Sequence, residues 1–73
     1  MDAPFRPREA NILVKTLRGY EEVAASRIED LNEGVQTLPR PLGYLGLVLV
    51  RVEADPHEFA ERIRGEVPEA EKV

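Results

Sequence analysis

The chain of 73 residues has no cysteine and no tryptophan, one histidine, one methionine, two tyrosines and two phenylalanines. Without cysteine there is no disulfide framework, thiolate metal site or cysteine nucleophile, and the absence fits a reducing compartment. A lone histidine, His57, leaves too few ligands for a conventional zinc site. No apolar run reaches the length of a membrane span, and the start, "MDAPFRPREA", has an acidic second residue, two prolines and no apolar signal core. The chain therefore reads as cytoplasmic, without a membrane partner. Phosphate-cradling glycine motifs are missing too, since "GYLG" lacks both the spacing and the following lysine. Thr16 and Ser26 have no plausible base nearby in sequence. The acid pairs Glu21–Glu22 and Glu29–Asp30 fall on the expected polar side of a helix and read as solvated. The expectation is a non-enzyme with no cofactor and no metal.

Charge is abundant. Charged residues make up 33% of the chain, eight of the ten bases are arginine, and the net charge is -4. Residues 1–52 carry seven bases and seven acids, whereas residues 53–73 carry three bases and seven acids, so the surplus sits in the last third. That balance argues against strong nonspecific nucleic-acid binding, which needs phosphate neutralisation, and leaves room only for a local basic face.

Residues 1–9 read as a flexible proline-rich arm and residues 10–73 as one small domain, near the size at which buried apolar area only just offsets lost chain entropy. "ANILVKT" (Ala10 to Thr16) is short, apolar and β-branched, a strand, and "LRGYEE" turns into a helical pattern. Tyr20, Val23, Ala24, Ile28 and Leu31 form its apolar stripe, and Gly34 stops it, for a helix of about 14 residues. "VQTL" (Val35 to Leu38), cut off by Pro39 and Pro41, is an edge strand. "LVLVRV" (Leu47 to Val52), framed by Gly43 and Gly46, is apolar on both sides and therefore central.

A second helix begins at "ADPHEF", with Asp55 as N-cap, Pro56 at the first helical position and Glu58 completing a capping box. Phe59, Ala60, Ile63 and Val67 form its stripe, Gly65 and Pro68 end it, and "EAEKV" begins a last edge strand. The order β-α-β-β-α-β is the ferredoxin-like split β-α-β plan, an α+β antiparallel sheet with two helices on one face.

Two helices cover only one face of such a sheet, so side-chain parity decides what the other face shows. If Ile12, Val14, Val48, Val50 and Val52 face the helices, then Leu13, Lys15, Leu47, Leu49 and Arg51 line the open face. The opposite parity would bury Lys15 and Arg51 at high cost. This open strip is the candidate face for a homodimer or another protein partner. A second candidate is a loop cluster of Arg18, Arg40 and Tyr44, supported by Arg6 and Arg8 of the arm. Arginine supplies bidentate phosphate contacts and tyrosine a stacking surface, so this is a candidate RNA or anion site.

With those residues in place, "NILVKTLRGYEEVAASRI" and "RPLGYLGLVLVRVEADPHEFAERIRGEVPEAEKV" resemble the N-terminal ferredoxin-like subdomain that accompanies THUMP domains in archaeal tRNA-modification proteins. The likeness lies in a strand ending in Thr16, the turn Arg18-Gly19-Tyr20-Glu21, the Gly43 to Gly46 turn, the Asp55-Pro56 helix start and the closing "VPEAEKV". It implies a non-catalytic accessory module that helps to position tRNA, binding RNA weakly on its own, since the THUMP domain itself is absent from these residues. Thr16, Gly19 and Glu21 with Gly43 and Tyr44 are also similar to the N-terminal domain of NusG-type elongation factors, which implies docking on RNA polymerase. "VLVRVEADPHEFAERIR" resembles effector domains of ACT or Lrp type, which implies sheet pairing around a small ligand.

Overall fold

Strict alternation in "ILVKT" makes a strand with one buried and one open side, and the same holds for "LVLVR". A computed structural model of the chain describes residues 4–73; residues 1–3 of the predicted arm lie outside the described residues. The elements are β1 (Ile12–Thr16), α1 (Glu21–Glu29), β2 (Gln36–Pro39), β3 (Leu47–Arg51), α2 (Pro56–Glu66) and β4 (Ala70–Lys72), with short 3-10 turns at Pro7–Glu9 and Pro41–Gly43. All pairings are antiparallel and the strand order is β2-β3-β1-β4. This is the ferredoxin-like split β-α-β layout, with the two most apolar strands at its centre.

Ile12, Val14, Val48, Val50 and Val52 turn inward and pack with Ala24, Ala25 and Ile28 of α1 and Phe59 and Ile63 of α2. Asn11 extends the β1–β3 pairing beyond the ladder. Its side-chain amide donates to the Val52 carbonyl at 2.7 Å and accepts from the Val52 N–H at 3.1 Å, doing the work of one more strand residue. Asp55 caps α2 by accepting from the His57 N–H at 2.9 Å. Glu58 makes no reciprocal bond among the described residues, so the cap is a single bond and not the expected box. Gly65 lies inside α2, which ends at Glu66, just before Pro68.

α1 differs from the sequence reading in its length and in the face it buries. α1 is nine residues long, because the chain leaves the helix at Asp30 and turns through an Asn32 side chain that accepts from the Gly34 N–H. Its buried positions are Glu21, Ala24, Ala25 and Ile28, while Tyr20 and Val23 are exposed. The stripe is thus rotated toward a residue expected on the polar side. Residues of the predicted arm also make contacts. Phe5 is only 6% exposed, the Arg6 N–H bonds Glu9 Oε1 at 2.7 Å, and the Arg51 guanidinium holds the Glu9 carbonyl at 3.1 Å.

Contacts between side chains join the layers. Thr37, buried on β2, donates its hydroxyl to the Glu29 carboxylate of α1. Arg62 of α2 donates to the Leu31 carbonyl just past the end of α1 at 3.1 Å and stands 5.9 Å from the Phe59 ring centroid. Ile63 of α2 is fully buried in the core shared by the helices and the sheet. Ile63→Ala should cost about 2–5 kcal/mol of stability, a large fraction of what so small a domain has. Urea unfolding followed by circular dichroism measures it.

Candidate functional site

Antiparallel register brings two loops together at one end of the sheet. Lys15 stands opposite Leu47, so the turn after β1 meets the β2–β3 loop, and the Thr16 N–H reaches the Gly46 carbonyl at 2.8 Å. Into this junction α1 sends Glu21, whose side chain is 1% exposed. One carboxylate oxygen accepts from the Gly46 N–H at 2.6 Å and the other from the Gly19 N–H at 3.1 Å. Both glycines have positive φ, 76° and 93°, which aims their N–H groups at the carboxylate. A Cβ on Gly46 would also stand 3.0 Å from the Thr16 carbonyl oxygen. One buried side chain thus ties the turn beside it to a loop 25 residues further along the sequence.

These bonds hold the Glu21 carboxyl below its ordinary pKa of 4.5. The Gly46 N–H is the largest cause, followed by its own backbone N–H, with the Gly19 N–H and the Arg40 charge adding less; together they outweigh burial, which pushes the other way.

Arg40 occupies the left-handed region (φ 50°), as does Leu42 (φ 54°), so the "RPLG" stretch is tightly wound. Its guanidinium reaches Glu22 at 3.4 Å and Glu21 at 4.0 Å. Two acids read from sequence as solvated therefore engage a cation expected to bind an anion, and Arg40 enters any ligand contact already paired. Arg18 and Tyr44 lie exposed at the same end, and among the described residues no carboxylate pairs with Arg18. Arg6 and Arg8 do not join them. Arg6 precedes and Arg8 lies within the Pro7–Glu9 turn before β1, at the far end of a five-residue strand about 16 Å long, where Arg51 bonds the Glu9 carbonyl.

The open face carries the expected residues. Register places Leu38, Leu49 and Leu13 in one row across β2, β3 and β1, with Gln36 beside Arg51 toward one end and Lys15 beside Leu47 toward the other. Leu13 is 48% exposed, and Leu47, Leu49 and Arg51 are half-buried. Among the described residues no cluster of three metal-ligating side chains forms, and no helix is long and apolar enough to cross a membrane.

Sequence reasoning missed Glu21 and Asn11. The only local signal for Glu21 was a glycine two positions before it; its other partner became visible only with the strand register. The fold and these surfaces define a small ferredoxin-like α+β domain with a clamped loop end and an open leucine face. Comparison with protein-family models, curated proteins and solved structures found no match to the chain.

Because the Glu21 pKa is lower folded than unfolded, its contribution is full above about pH 4.5 and is lost as pH falls through the lower folded value. Glu21→Gln replaces one acceptor with an NH2 group facing a glycine N–H, and should destabilise the fold at neutral pH. The gap between the two proteins should narrow as pH drops below 4.5. Urea midpoints across the acid range test this, and a gap independent of pH would contradict the clamp.

Proposed function

We propose that this chain is a non-catalytic interaction module that pairs its open sheet face with the same face of a second copy. The observation that carries the reading is the row Leu38–Leu49–Leu13, three leucines in register on the face opposite the helices. The helices cover only one face of the sheet, and stacking this second, apolar face against the same face of another copy adds a layer to the core already formed with the helices. A two-fold pair needs a self-complementary patch, and a central apolar strip is one.

Charge at the rim makes the reading specific. Lys15 and Arg51 cap the two ends of the strip, so two copies bring cations near cations. Pairing through this face should therefore strengthen as salt screens the rim, with the apolar strip supplying the attraction. RNA contact has the opposite dependence, since it releases counterions and weakens with salt.

A second reading follows from the likeness to the THUMP-associated subdomain and is favoured by one observation: Arg18 and Tyr44 share the loop end, Tyr44 63% exposed. Under it the chain is an accessory module that helps to position tRNA, using a cation and a stacking surface.

Sedimentation equilibrium from micromolar to millimolar protein, at low and high salt, tests the first reading. A dimer favoured by salt is expected, and Leu13→Glu, at a site exposed enough to spare the fold, should raise its Kd at least about tenfold. A monomer at every concentration would overturn it. For the second reading, anisotropy of labelled tRNA at low salt should show binding that Arg18→Ala weakens; no binding at low salt would remove it.

A further inference from the structure

The two loops that Glu21 joins are apolar where exposed chain is normally polar. Its carboxylate oxygens bond the Gly19 and Gly46 N–H groups, so residues 17–20 and 42–45 stand side by side at one end of the sheet, and both runs are exposed throughout. Leu13, Leu17, Tyr20, Val23, Leu42, Tyr44 and Leu45 are the exposed large apolar residues among those described, and all but Leu13 and Val23 lie on these loops. "LGYL" (Leu42 to Leu45) carries no charge, in a chain that is 33% charged. Leu42 is 82% exposed and occupies the left-handed region at φ 54°, which a bulky L-residue adopts only at a cost. Glycine or asparagine would suit that turn better, yet the turn presents a leucine to solvent.

Exposed charge at this end is mostly positive. Lys15, Arg18 and Arg40 are exposed, whereas Glu21 is buried and Glu69 nearly so. Glu22 is held by Arg40, and Glu71 lies beside Leu17 and Tyr20. Leucine, tyrosine and arginine thus share a projecting tip. A protein receptor would need a hollow shaped to that tip, and RNA gives the leucines no place. A bilayer surface takes each residue at its own depth: leucine among acyl chains, tyrosine at the boundary and arginine at the phosphates.

We propose that this loop end docks on the surface of an anionic lipid bilayer. Leu42, Leu45 and Leu17 enter the outer acyl region, Tyr20 and Tyr44 sit at the interface, and Arg18 and Arg40 meet headgroup phosphates. Among the described residues no helix is long and apolar enough to cross a membrane, and surface contact needs none. The site lies off the face used for self-pairing. It shares Arg18 and Tyr44 with the RNA reading but rests on the leucines, which that reading leaves idle.

The chain has no tryptophan and both of its tyrosines stand at this end, so tyrosine fluorescence reports on the docking surface. The full chain is pelleted with vesicles of phosphatidylcholine and phosphatidylglycerol, and its tyrosines are quenched with acrylamide. Pelleting that falls with salt is expected, with the tyrosines shielded from the quencher. Vesicles of phosphatidylcholine alone should bind at least about fivefold more weakly, as should Arg18→Glu on the anionic ones. Leu42→Gly suits the left-handed turn, so it should leave the urea midpoint unchanged or raised while lowering binding at least about fivefold, which separates docking from folding. No pelleting at millimolar lipid, equal binding of neutral vesicles, equal binding of Leu42→Gly, or pelleting with the tyrosines still open to acrylamide would each overturn the proposal. So would tRNA binding at low salt by a chain that vesicles do not pellet, which gives this end to RNA. A chain that stays monomeric but pellets with vesicles separates this inference from the self-pairing reading.

Discussion

One buried carboxylate organises the loop end of this domain. Glu21 sits at the start of α1, where the helix dipole favours a negative charge, and accepts N–H groups from the β1–α1 turn and the β2–β3 loop. Burying a carboxylate is unfavourable unless it is bonded, and here the bonds are charge-assisted and directed by two glycines with positive φ. Because Glu21 must point inward, α1 turns so that Ala24, Ala25 and Ile28 follow it into the core and Tyr20 and Val23 face solvent. The same carboxylate draws Arg40 toward the helix, which helps to hold that residue in its left-handed conformation.

The other surfaces follow from the layering. Two short helices cover one face of four strands, leaving a leucine row on the other. The loop end and the open face differ in chemistry. The first offers a cation and an exposed tyrosine, the second an apolar strip with charged ends. Each matches a different kind of contact, and salt separates them: screening favours the strip and weakens anion contact at the loop end.

Much of the architecture was legible in the sequence because strand parity is a local property. Valine at every second position of "LVLVRV" and the alternation in "ILVKT" settle which side each residue takes, and burying Lys15 and Arg51 is too costly to allow the reverse. The Asp55-Pro56 helix start was legible for a similar reason, since capping involves neighbours in the chain. Glu21 was not, because an acid in a first helical turn reads as solvated until its long-range partner is known. The arm's contact was not legible for a like reason: the Glu9 carbonyl is bonded by Arg51, 42 residues further on.

The sequence by itself determined the order of elements, the parity of the central strands and the absence of cysteine chemistry, all of which depend on residue type and short-range spacing. Tertiary structure alone decided that Glu21 is buried, that Arg40 is paired with acids, and that Arg6 and Arg8 stand apart from Arg18. Those outcomes turn on strand register, which is fixed by cooperative pairing across the whole sheet and which no single stretch of sequence encodes.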